Sequence, residues 1–142
     1  MIVTISQGEK MYTINDVSKL FFISPHTLRF YAQKGLFPNI TRNEQNTRIF
    51  SDKDLEYVEM VIALRHTGMS IASIKKYINL CIQGNDTVKK RQIIIQSEFE
   101  KAEQKVIESL RQRDILKSKL SYYQKAIDIG EENITWSTNR NF

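Results

Sequence analysis

Ser24, His26, Thr27 and Arg29 fall inside the run S-P-H-T-L-R-F-Y-A-Q-K-G-L-F of residues 24–37, and they are the residue types that bond polyanions and base edges. An arginine guanidinium can engage guanine O6 and N7 together, and a threonine hydroxyl can bond a base edge or a phosphate. Tyr31 adds a phenol able either to bond a phosphate or to pack inward. Arg42 and Arg48 follow, and across residues 24–50 the cations Arg29, Lys34, Arg42 and Arg48 are opposed only by Glu44. Such arginines combine charge with directed donors for a phosphate backbone.

These groups need a helix to hold them in register. Ser24 can cap the free amides of a first turn, Pro25 suits the first helical position, and Gly35 can take the left-handed conformation that ends a helix. Between them Leu28 and Tyr31 or Ala32 turn inward, leaving His26, Thr27, Arg29 and Phe30 outside. A short extended lead-in at residues 11–14 precedes a first helix over 16–22, for which Asn15 offers the cap. Val17, Leu20 and Phe21 are its apolar positions. A tight turn at Ile23 then makes the pair a helix-turn-helix candidate, whose second helix would place its first turn against base edges.

Residues 36–50 change character: Pro38, Asn39, Asn43 and Asn46 break helix, and apolar ends flank a polar tip, as in a hairpin or wing. Ser51 caps a third helix to Thr67, with Leu55, Val58, Ile62 and Arg65 on one face and Gly68 ending it. Ser70 caps a fourth helix to about Gly84. Residues 86–128 contain no proline or glycine and are rich in helix formers, so they form one long helix. Alternate steps of three and four residues give a heptad seam through Ile95, Phe99, Ala102, Val106, Ser109, Arg113, Leu116, Leu120, Tyr123 and Ile127. Ser109 and Arg113 break it, and Leu110 and Ile115 offer substitutes where the seam shifts. About 43 residues of helix extend roughly 65 Å, more than a small winged module can cover. Self-association is the economical way to bury such a stripe.

Composition narrows the class. The 142 residues carry a formal net charge of +5, which favours polyanionic partners without requiring them. No apolar run is long enough to span a bilayer and no signal-peptide layout opens the chain, so a cytoplasmic protein is expected. The one cysteine, Cys81, excludes an intrachain disulfide and a Cys-rich zinc site. It falls on the helical face Ile74, Ile78, Cys81, which suits a small buried hydrophobe. A thiol sensor would need a neighbour that stabilises the thiolate, and Lys75, Lys76 and Lys89 are near in sequence. His26 and His66 form no metal or catalytic set. No glycine-rich phosphate loop or nucleophile-base arrangement is present, so neither an enzyme nor a cofactor is expected.

The chain resembles the MerR family of transcriptional regulators over residues 11–128. The resemblance is carried by M-Y-T-I-N-D-V-S-K-L at 11–20, S-P-H-T-L-R-F-Y with K-G-L-F-P at 24–38, R-I-F-S-D-K-D-L at 48–55 and L-R-H-T-G-M-S-I-A-S-I-K at 64–75. It implies a winged helix-turn-helix DNA-binding domain joined to a long helix that pairs as an antiparallel coiled coil. Such dimers sit on a pseudo-palindromic operator inside a promoter with an over-long spacer, and distort it for RNA polymerase in response to an effector. On this chain the implied DNA contacts are His26, Thr27, Arg29 and Tyr31 from the helix, with Ser24 at its cap, and Arg48 from the wing with Arg42 in support. The family wing has Gly-Tyr before the arginine and a second tyrosine after it. Here Asn46 and Thr47 precede Arg48 and Phe50 follows Ile49, a departure that puts the tyrosine phosphate contact in doubt and leaves the arginine one standing. The run Y-I-N-L-C-I-Q-G-N-D-T-V-K-K-R at 77–91 is similar to a branch associated with aldehyde or thiol stress, which makes Cys81 a candidate thiol sensor.

The expectation is a mainly α protein. Residues 11–84 form the winged helix-turn-helix domain, 85–128 the dimerisation helix, and 1–10 and 129–142 flexible termini. Its partners are double-stranded promoter DNA, a second copy of the chain and RNA polymerase, with no membrane. A coiled-coil interaction protein is the competing class, and it gives no reason for capping, polar reach and basic flanks to coincide at 24–48; a nonspecific DNA binder is a third option, which salt-sensitive but sequence-blind binding would favour.

Overall fold

Thr13, rather than Asn15, opens the first helix. In the computed structural model, which describes residues 10–130, the Asp16 amide donates to Thr13 Oγ1 at 3.2 Å and the Thr13 amide to Asp16 Oδ2 at 2.9 Å. This reciprocal pair satisfies two donors at the helix start, so Asn15 lies inside α1 (Ile14–Phe21). Ile14, Val17 and Phe21 form the inward stripe of α1, and Leu20, expected among them, sits at its flank and is exposed. Phe22 ends α1 in the left-handed conformation, φ 54°. Ser18 Oγ donates to Ile23 O at 2.6 Å and holds the turn.

Helix α2 (Pro25–Gln33) follows, with Ser24 as its cap and Pro25 in its first turn. Gly35, at φ 76°, ends it, its amide donating to Ala32 O and the Leu36 amide to Tyr31 O at 3.1 Å. The lead-in is itself a strand, β1 (Met11–Thr13), which pairs antiparallel with β3 (Arg48–Ser51) so that Tyr12 faces Phe50. On the other side β3 pairs antiparallel with β2 (Thr41–Arg42). The wing is therefore the outer part of a three-stranded sheet ordered β1-β3-β2.

Ser51 and Asp54 repeat the reciprocal cap at α3 (Asp52–His66), and Ser70 caps α4 (Ile71–Gln83). A 3-10 turn at Asn85–Thr87 leads into α5 (Val88–Asp128), a single helix of 41 residues that starts two positions later than its composition predicted. The chain divides into two compact units, one ending at Ile94 and one beginning at Ile95. In the first, Leu28 of α2, Phe50 of β3, Val58 of α3 and Ile74 and Ile78 of α4 are fully buried in one cluster. Phe37 and Phe50 meet edge to face at 5.8 Å between ring centres. In the second, Phe99, Val106, Leu116 and Leu120 of the predicted seam are exposed on α5, while Glu98 with Lys101 and Glu108 with Arg111 pair one turn apart. The expected termini, apart from Lys10, Ile129 and Gly130, lie outside the described residues. Among those described, no helix is long and apolar enough to cross a membrane.

Candidate nucleic-acid interface

The cap of α2 determines which of its side chains are free. The Thr27 amide donates to Ser24 Oγ at 3.1 Å, and the two hydroxyls lie 2.9 Å apart. Ser24 and Thr27 thus hold the helix start. His26 and Arg29 are exposed, whereas Leu28 is fully buried. Tyr31 packs inward, with its ring edge to face against Phe37 at 6.4 Å, so of its two expected roles the structure shows the packing one. Farther along, the Lys34 ammonium sits over the exposed Phe30 ring, 5.5 Å from its centre. The outer face of α2 thereby offers an imidazole and a guanidinium near its N-terminal end and an ammonium at its other end.

Asparagines build the wing tip. Asn43 Oδ1 accepts the Gln45 amide at 3.1 Å and the Thr47 amide at 2.9 Å, an Asx-type turn that adds to the backbone bonds from the Asn43 amide to Thr47 O and from the Asn46 amide to Asn43 O. Asn46 takes the left-handed conformation, φ 61°, which asparagine tolerates better than most residues. Arg42 Nη1 donates to Asn46 O at 2.7 Å, so the Arg42 guanidinium braces the tip. Arg48, its cross-strand partner, is half-buried. Phe50 lies wholly in the core and cannot reach a phosphate.

Cys81 is half-buried and, with Lys53, Glu56, Tyr57 and Met60, lines a cavity of about 200 Å³ between α3 and α4. Burial first, and then the neighbouring thiol, raise the Tyr77 phenol above its ordinary pKa. Lys75, which sequence proximity offered as a neighbour of Cys81, is engaged elsewhere: its Nζ donates to Gly35 O at 2.8 Å. That contact joins residues forty positions apart, and no local pattern could have shown it. Among the described residues no group of three or more His, Cys, Asp or Glu side chains could hold a metal ion.

A short capped helix with an exposed polar face, braced against a preceding helix and flanked by a basic hairpin, defines a winged helix-turn-helix protein, here continued by a long helix. Residues 12–81 match the family model described as MerR HTH family regulatory protein. An HTH-type transcriptional regulator of Haemophilus influenzae is 37% identical over 119 residues, covering 84% of this chain and 88% of the relative. Among solved structures, HiNmlR, a MerR family regulator lacking the sensor domain and bound to promoter DNA, superposes with a TM-score of 0.70 at 36% identity, over 86% of this chain and 97% of that one. A MerR family regulator from Bacillus thuringiensis gives 0.68 at 31% identity, over 80% of this chain and 100% of that one. The chain belongs to the MerR family of transcriptional regulators.

Proposed function

We propose that this regulator binds a pseudo-palindromic promoter operator as a homodimer, without enzymatic activity, and changes the conformation of that DNA so that RNA polymerase can use the promoter when a signal arrives. The observation that carries the reading is the pairing of an exposed His26 and Arg29 on α2 with a wing that sets Arg42 opposite Arg48. In this reading His26 and Arg29 meet base edges, with Arg29 placed to bond a guanine. Ser24 and Thr27 hold the helix start and so set where His26 and Arg29 stand. Arg48 grips the backbone while Arg42 keeps the wing tip in shape, and Tyr31 serves as packing. The DNA-bound state of the similar HiNmlR supports the reading.

Two subunits are needed because one nine-residue helix reads only a few base pairs. The exposed seam residues on α5 support an antiparallel coiled-coil pairing that supplies the second reader. In the same proposal an unidentified signal controls the cytoplasmic protein, with Cys81 as a candidate thiol sensor. Footprinting the promoter of its own gene, with the mass of the complex measured by sedimentation, tests the assembly. Two protected half-sites about one helical turn apart (~34 Å) with two chains bound are expected. A single unsymmetric footprint with one chain bound would contradict it.

A further inference from the structure

Helix α2 has its C-terminal end anchored from outside the helix-turn-helix. Its last amides and carbonyls are satisfied locally: the Lys34 amide donates to Phe30 O, the Gly35 amide to Ala32 O and the Leu36 amide to Tyr31 O. Three residues beyond Ala32, Gly35 O accepts from Lys75 Nζ of α4 at 2.8 Å. A positive charge there also meets the negative end of the α2 dipole. Backbone conformation favours glycine at this point, and a side chain here would push the flexible tip of Lys75 aside. The Gly35 φ is 76°, and a Cβ on it would lie 2.5 Å from the Lys75 ammonium.

The far end of α4 is clamped as well. The buried Thr87 hydroxyl lies 2.7 Å from Leu80 O and 2.8 Å from Gly84 O, and it accepts from Arg91 Nε at 3.1 Å. Arg91 Nη2 donates to Gly84 O at 3.2 Å. Helix α4 is therefore a bar fastened at Lys75 to the end of α2 and at Thr87 and Arg91 to the first turn of α5, all within the unit ending at Ile94.

We propose that Lys75 is a positioning residue for operator recognition: by holding Gly35 O it fixes the tilt of α2 against α4, and so ties the recognition helix to the root of the long helix. This rests on α2 being the DNA reader, as proposed above. Lys75 acts through Gly35 and touches no base. One of its three N–H donors is held by that carbonyl, and the role assigned to it is fit rather than phosphate charge.

The test uses the full chain as wild type, Lys75→Met and Lys75→Arg, with Lys75→Gln as a second donor-shortened variant should methionine impair folding. Amide hydrogen exchange at Lys34, Gly35 and Leu36 reads the anchor. Binding to operator and to shuffled duplexes over a salt series reads recognition. Removing the donor should speed exchange at those amides and lower the operator-over-shuffled preference, each by about tenfold, with the salt slope unchanged. Arginine, which can still donate to Gly35 O, should restore both. Unchanged exchange and preference would overturn the proposal, and a salt slope reduced by about one would make Lys75 a phosphate contact instead. A wild type without operator preference would sink the DNA-reading proposal itself, while faster exchange in Lys75→Met would still show the anchor.

Discussion

Arg42 and Arg48 stand directly opposite one another on β2 and β3, so two positive side chains leave the same face of the wing. Like charges directly opposite one another destabilise a ladder. Arg42 offsets part of this by donating to Asn46 O. In the proposed reading, the backbone phosphates that Arg48 grips would offset the rest of this cost.

The two arginines should therefore separate on substitution. Arg48→Ala should leave the melting temperature equal or higher at low salt, yet lower the salt slope of DNA binding by about one unit. Arg42→Ala should lower stability by about 1 kcal/mol through the lost brace at the tip. Equal losses of stability in both variants, seen by urea unfolding, would refute the division of labour.

Phe22 is 95% exposed and holds a left-handed φ of 54°, a conformation that costs a residue bearing a Cβ about 1–2 kcal/mol. Phe22→Gly loses almost no packing and relieves that strain, against the extra freedom glycine gains in the unfolded chain. Stability should rise by about 0.5–1 kcal/mol in thermal or urea unfolding. A loss would mean that the ring makes a contact that matters.

The Asp16 carboxyl is held below its usual value of 3.8, first by the Thr13 amide and then by the Thr13 hydroxyl, against the opposing effect of desolvation and with the least contribution from Lys19. A carboxylate with a lowered folded-state pKa contributes stability that is complete above its unfolded value. That stability is lost as pH falls through the lower folded value. Asp16→Asn should thus be less stable than wild type at neutral pH and show a shallower loss below about pH 3.8. Parallel acid limbs in the two proteins would remove Asp16 from the linkage.

Cys81 borders the cavity with Tyr57 and Met60 and makes no contribution to the outer face of α2. Cys81→Ser should keep operator affinity within about twofold, an energy near RT. It should abolish the response of a promoter reporter to added aldehyde or oxidant. A retained response would reduce the thiol to a packing group.

Local chemistry made the helix starts legible. Ser24, Ser51 and Ser70 each accept an amide three residues on, a bond readable from sequence because it spans one turn. At α1 two residues could cap, and the choice between Thr13 and Asn15 lay in Asp16, which completes a capping box with Thr13. Leu20 was misplaced because eight residues give too few turns to fix the phase of an apolar stripe. The wing tip was recognisable by its asparagines, yet the joining of β1 to β3 depends on partners nearly forty residues apart. The same limit hid the Lys75 anchor. Tyr31 was ambiguous in sequence because a phenol serves a core and a phosphate equally well, and only its contact with Phe37 separates the two.

The measurement that bears most directly on the central claim is fluorescence anisotropy of the full chain with labelled duplexes from its own promoter and with shuffled duplexes, at two salt concentrations, for wild type and Arg29→Ala. Wild type should prefer the promoter by at least about a thousandfold. Arg29→Ala should lose about 1–3 kcal/mol of that preference while its affinity for shuffled DNA barely changes. Equal wild-type affinity for both duplexes, or an Arg29→Ala loss uniform over all sequences, would contradict sequence reading by α2.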